Sequence, residues 1–70
     1  MEYIAIETDF IKLQQFLKFA NAVSSGSDAK YFIQEGNVKV NGEVCTMRGK
    51  KIYEGDTVEF EGVEYKAVKA

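Results

Sequence analysis

The sequence has no histidine and a single cysteine among its 70 residues. Without histidine it lacks the commonest general acid–base group and the commonest transition-metal ligand. One cysteine, Cys45, excludes an internal disulfide and any zinc site built from paired cysteines. With no histidine to serve as its base, Cys45 reads as a small apolar residue in or beside a strand. No apolar run is long enough to span a membrane and no signal-peptide pattern opens the chain, so the cytoplasm is the expected location. The carboxylates offer no acid–base pair by spacing: Asp56 and Glu59 follow Glu54-Gly55, which is turn chemistry. A chain this short also has little room for both a core and a deep pocket. These absences lead to the expectation of a protein that is not an enzyme and carries no metal or cofactor.

What is present is the composition of a small globular domain. Hydrophobic residues make up 46% of the chain, with five Phe and four Tyr, which separates it from disordered sequences. Residues 1–70 make one domain, near the lower size limit for a fold held by its core alone. The formal net charge of -2 hides an asymmetry. Residues 1–9 carry -3, residues 10–53 carry +4 and residues 54–70 carry -3. The basic block contains Lys12, Lys18, Lys30, Lys39, Arg48, Lys50 and Lys51. A polyanion responds to such local potential rather than to the global pI.

Periodicity sets the expected elements. "EYIAIET" alternates Tyr3 and Ala5 with Ile4 and Ile6, as a strand does. Leu13, Phe16, Leu17 and Ala20 then fall at i, i+3, i+4 and i+7, the stripe of an amphipathic helix that begins between Ile11 and Leu13 with Thr8 or Asp9 as its cap. Lys12 and Gln15 flank one edge of that stripe, Gln14 and Lys18 the other. "SSGSD" breaks the helix, with Ser27 expected to cap a second one whose stripe is Ala29, Phe32 and Ile33 and whose terminator is Gly36. Beyond Gly36 the pattern is strand and turn. Val38 and Val40 face one way and Lys39 the other, Asn41-Gly42 signals a tight hairpin, and Val44 opens the return strand. "MRGKK" is a polar excursion, "TVEF" a strand, and Glu61-Gly62 a hairpin into "VEYKAV". The expected fold is α+β, two short packed helices against a small, mostly antiparallel sheet, in the order β-αα-ββββ.

Two clusters are candidates for meeting an anion. Arg48, Lys50 and Lys51 surround Gly49, with Lys39 nearby in sequence; a guanidinium forks onto phosphate oxygens and lysines supply point charge. Lys12, Lys18 and Lys30 lie on the helices, and Ser25, Gly26 and Ser27 precede the second helix, where free backbone N–H groups attract anions. The residues alone leave plainer readings open: a solvated basic loop for the first cluster, simple capping for the second. Phe16 and Phe32 lie on the helical stripes and are structural. Phe19 and Tyr31 fall off the stripes and are expected to cover the rim of a small core.

The chain further contains "KLQQFL", "SGSDAKYFIQEGNVKVNG" and "EGDTVEF" in that order. This series resembles the RNA-binding domain of the ribosomal protein S-four type, also called the αL motif. That family's pattern is Arg-Leu-Asp-x-x-Leu, then Ser-Arg-x-x-Ala-x-x-Leu-Ile-x-x-Gly-x-Val-x-Val-Asn-Gly, then Gly-Asp. Lys12, Leu13, Leu17, Ser25, Ala29, Phe32, Ile33, Gly36, Val38, Val40, Asn41, Gly42, Gly55 and Asp56 match it or substitute conservatively. The resemblance covers roughly residues 11–60 and is strongest to small stand-alone bacterial members of the YaaA and YbcJ type. The family's Asp after the first Leu is Gln14 here, and its Arg in the inter-helix loop is Gly26, with Lys30 the nearest substitute.

The resemblance implies a single RNA-contacting surface formed by the two helices and the hairpin that follows. Its partner would be structured RNA, ribosomal RNA first. The implied contacts are Lys12, Lys18, Lys30, Lys39, Arg48, Lys50 and Lys51 to phosphates, with Gln15, Ser25 and Ser27 as polar auxiliaries. Two rival readings come from other classes. A protein–protein adaptor in a ribosomal or replication complex would use Phe19, Tyr31 and the acidic C-terminal strands. A ubiquitin-like sulfur carrier would need a flexible Gly-Gly terminus, where this chain has Val68-Lys69-Ala70. Neither the RNA bound nor the oligomeric state is legible in the residues.

Overall fold

The computed structural model describes residues 1–70. The chain runs β1 (Glu2–Ile6), β2 (Phe10–Lys12), α1 (Leu13–Phe19), α2 (Gly26–Gln34), β3 (Val38–Val40), β4 (Glu43–Val44), β5 (Lys51–Tyr53), β6 (Thr57–Phe60) and β7 (Val63–Lys69). The main sheet has five strands in the order β1-β7-β6-β3-β4, antiparallel throughout except where β1 lies parallel to β7. The fold is therefore α+β, two short helices on a mostly antiparallel sheet, as expected. The expected order needs two additions. Strands β2 and β5 pair as a separate antiparallel ribbon, with Phe10 opposite Tyr53 and Lys12 opposite Lys51. Each has only three residues, too few to reveal alternation, and each finds its partner far along the chain.

The stripe of α1 is buried as its spacing requires, with Leu13, Phe16 and Leu17 fully enclosed. Its cap differs from expectation. Lys12 occupies the N-cap position without a side-chain cap, and the Thr8 hydroxyl donates instead to the Phe10 carbonyl at 2.6 Å. The first amides of α1 are satisfied from elsewhere in the chain: Leu13 N–H donates to the Lys50 carbonyl at 2.7 Å and Gln14 N–H to the Arg48 carbonyl at 3.1 Å. Helix-start donors need such partners when no side chain supplies them. At its other end Asn21 takes a left-handed φ of 62°, while Asn21 N–H and Ala22 N–H donate to the Lys18 and Leu17 carbonyls.

Helix α2 is capped by Ser25 rather than Ser27. The Ser25 hydroxyl accepts from Asp28 N–H at 3.2 Å, and Ser27 lies exposed in the first turn. Gly36, at φ +80°, ends the helix in the left-handed conformation its sequence position called for.

Both hairpins use left-handed turn residues, Asn41-Gly42 at 51° and 85°, and Glu61-Gly62 at 52° and 79°. Asn41 does more than turn the chain. Its side-chain carbonyl accepts from Thr57 N–H at 2.9 Å and its amide donates to Asp56 Oδ1 at 3.2 Å, while Asp56 Oδ2 accepts from Tyr53 N–H at 2.8 Å. This network ties the β3–β4 turn to the turn that follows β5.

The core lies between the helices and the inner face of the main sheet. Phe16 meets Tyr65 edge-on at 6.5 Å between ring centroids, and Phe32 tilts against Phe60 at 5.0 Å. Ile52 closes the core from the small ribbon. All buried residues are hydrophobic, so polar groups available for binding lie at the surface. Lys39 projects from the outer face of the sheet, between buried Val38 and Val40, with Val44 and Glu59 as its cross-strand partners.

Candidate nucleic-acid interface

The sequence left the basic residues in two clusters; the fold brings the loop of the first to the start of α1. The two main-chain bonds from Leu13 and Gln14 hold the backbone of Arg48 and Lys50 against the start of α1. Lys51 then faces Lys12 across the β2–β5 ribbon. Lys12 and Lys18 in turn line a polar cleft of about 320 Å3 together with Gln14, Gln15 and Gly26, with no apolar side chain among them. The backbone of Arg48 and Lys50 and the Lys12–Lys51 pair therefore lie beside the start of α1, while the Lys50 side chain lines a separate depression with Val40, Asn41 and Val44. Lys12, Lys18, Arg48, Lys50 and Lys51 are all exposed, and none of the side-chain hydrogen bonds of the fold engages them. The Lys51 ammonium lies 4.8 Å from the centre of the Phe10 ring, a cation–π contact that leaves it at the surface.

The cleft draws on both edges of the α1 stripe. Gln14 and Lys18 are four residues apart and Gln15 and Lys18 three, so all three are neighbours on the back of a helix whose buried stripe is narrow. Across the cleft, Gln14 Nε2 donates to the Gly26 carbonyl at 3.0 Å. A Cβ at position 26 would stand 3.1 Å from that same nitrogen. The two positions that depart from the resembled motif thus touch each other, and an amide-to-carbonyl bond joins the helices there.

The remaining candidates divide. Ser27 follows the cleft-lining Gly26 and Lys30 lies one turn beyond it on α2; both are exposed, and neither lines the cleft. The Ser25 oxygen is already engaged in capping. Lys39 does not join the others, because strand alternation sends it to the opposite face of the sheet from the helices.

Sequence reasoning missed an apolar groove on the far side of Gln15 and Lys18, walled by Phe10, Ile11 and Phe19. Phe19 is 63% exposed and Tyr31 60%, so neither covers the core rim as expected, although Tyr31 meets Phe32 edge-on at 5.4 Å. The available signal was the position of Phe19 off the helical stripe. Tyr65, which the sequence left unplaced, belongs to the core, and Cys45 is partly buried against it.

Comparison with known proteins gives this surface its context. A profile of the S4 domain matches residues 4–68, nearly the whole chain and beyond both ends of the central motif. The chain belongs to the S4 domain family. This S4 domain is 51% identical over 59 residues to the "Probable ribosome maturation protein RlbA" of Bacillus subtilis, covering 84% of this chain and 83% of that protein. It is 44% identical over 52 residues to YbcJ of Escherichia coli, covering 74% of each. The solution structure of Escherichia coli YbcJ, described as revealing an αL motif involved in RNA-binding, superposes with a TM-score of 0.74 at 36% identity, over 97% of this S4 domain and 87% of that chain. No helix of this S4 domain is long and apolar enough to cross a membrane.

Proposed function

We propose that this S4 domain is a non-catalytic RNA-binding protein of the cytoplasm that docks structured RNA, ribosomal RNA in particular. Lys12, Lys18, Arg48, Lys50 and Lys51 contact phosphates, Gln15, Ser25 and Ser27 assist, and Lys30 extends the surface along α2. Lys39 falls outside this set. The observation that carries the reading is the pair of main-chain bonds from α1 to the Arg48 and Lys50 carbonyls. They hold the backbone of what would be a free basic excursion against the start of α1, and cations on a fixed backbone lose less entropy on meeting a phosphate backbone. The likeness to a ribosome maturation protein and to an αL-motif structure supports RNA as the polyanion and the ribosome as its setting.

Recognition of this kind rests on shape and phosphate spacing, so sequence selectivity is weak and A-form geometry is preferred. The test is a salt titration of binding to a structured ribosomal RNA fragment beside duplex DNA of equal length. Tight, salt-sensitive binding that favours RNA is expected. Equal, weak binding to both would overturn the reading and turn the search towards a protein partner.

A further inference from the structure

The apolar groove beside the cleft has an open volume of about 930 Å3. Phe10, Ile11 and Phe19 form its walls, and Asp9, Gln15 and Lys18 stand on its rim. Phe19 spends its ring on solvent rather than on the core. A large aromatic side chain so placed on a small domain costs solubility and adds little stability, which marks a contact surface. Gln15 and Lys18 line both this groove and the polar cleft, so the two are continuous across a single ridge of α1. An RNA backbone lying on the cleft would therefore pass directly beside two phenyl rings. Paired bases expose no ring face to such a wall, whereas an unpaired base does.

From this juxtaposition we infer that the groove receives one unpaired nucleobase, splayed out of the RNA whose phosphates lie on the cleft. The inference rests on the RNA-binding reading and narrows it to RNA with a bulged or looped nucleotide at the contact. The base stacks on Phe19, with Ile11 and Phe10 beneath it. Lys18, on the ridge, meets the phosphate of the same nucleotide. The Asp9 carboxylate accepts a hydrogen bond from the base edge and the Gln15 amide offers both a donor and an acceptor, so a base with an exocyclic amino group fits better than uracil. An apolar segment of a protein would use the aromatic walls but would have no use for a cation shared with a lysine-lined cleft.

The experiment compares two RNA hairpins that differ only in whether a single bulged 2-aminopurine nucleotide interrupts the stem. Affinity is read by anisotropy, and base stacking by 2-aminopurine emission. The wild-type protein should favour the bulged hairpin by about 5- to 100-fold, the range that one base–aromatic stack supports, and its binding should change the emission. Phe19→Ala should lose both effects while keeping its affinity for the paired hairpin and the salt dependence of that binding. Phe19→Trp should keep both. Phe19 is exposed, so the variants should fold, and circular dichroism checks that they do. Equal binding of the two hairpins by wild type, or an undiminished preference in Phe19→Ala, would overturn the inference and leave the RNA-binding reading standing. Failure of wild type to bind either hairpin at low salt would overturn both.

Discussion

Neutralising the docked loop separates this surface from ordinary basic surface. The triple variant Arg48→Gln, Lys50→Gln, Lys51→Gln removes three of the five cations of the proposed phosphate-contacting set, and Lys39→Gln removes one from the opposite face of the sheet. Each neutralised phosphate contributes about 0.7 to 0.9 to the slope of log affinity against log salt. Four or five contacts give a wild-type slope of about -3 to -4.5, and the triple variant, left with one or two, should retain roughly -0.7 to -1.8. At 0.1 M salt the same loss corresponds to about two orders of magnitude in affinity. Lys39→Gln should leave the slope at its wild-type value, although Lys39 belongs to the same basic block in the sequence. None of these side chains is buried, and the largest stability cost is the Lys51 contact with Phe10, about 0.5–1 kcal/mol. The assay is fluorescence anisotropy of a labelled structured RNA across a potassium chloride series, with thermal melts to confirm folding. A Lys39→Gln slope as shallow as that of a loop substitution would refute the one-face geometry. A triple variant with wild-type slope would refute the site itself.

Three further outcomes follow from the fold. Asn41→Ala removes two side-chain hydrogen bonds and puts an alanine at φ 51°, so it should destabilise the domain by about 2 kcal/mol, read as a fall in Tm of about 10 °C, with the salt slope unchanged. Glu61→Asn relieves a left-handed, non-glycine turn residue and should raise stability by about 0.5–1 kcal/mol; a lowered Tm would show that Glu61 makes an offsetting contribution. Burial, and then the charges of Glu2 and Glu61, raise the Tyr65 phenol above the ordinary tyrosine value of 10.0. The folded state then holds the phenol proton to higher pH than the unfolded chain, so this contribution is complete below pH 10 and is lost as pH rises through the folded value. Tyr65→Phe should show a shallower alkaline decline of Tm than wild type, and parallel declines would refute that assignment.

How much was legible depended on the range over which each signal acts. The α1 stripe, the left-handed Gly36 and the two hairpins were readable because each is written in residues a few positions apart. The cap of α1 was not, because its partners are carbonyls from a distant loop rather than a neighbouring side chain. The cap of α2 was misjudged by two positions, since Ser25 and Ser27 are chemically alike and only the path of the backbone chooses between them. The candidate site shows the same division. Its residue types and excess charge were evident, but its membership was not: Lys39 belonged to the basic block and left it, whereas Gln14 and Gly26 were noted only as departures from a motif and proved to meet across the cleft.

The sequence by itself determined that this is a small α+β domain with two amphipathic helices, tight hairpins and a basic middle, since periodicity, turn chemistry and charge are local properties of the chain. It also carried enough of the S4 pattern to be recognised. Only the tertiary structure decided that β2 and β5 pair, that β1 runs parallel to β7, and that Arg48 and Lys50 are clamped to the start of α1. Those contacts join residues far apart in sequence, whose association depends on burying a common core and satisfying backbone groups that no neighbour can reach. The face on which a cation stands is set by that long-range closure, and it is the face that determines which charges act together.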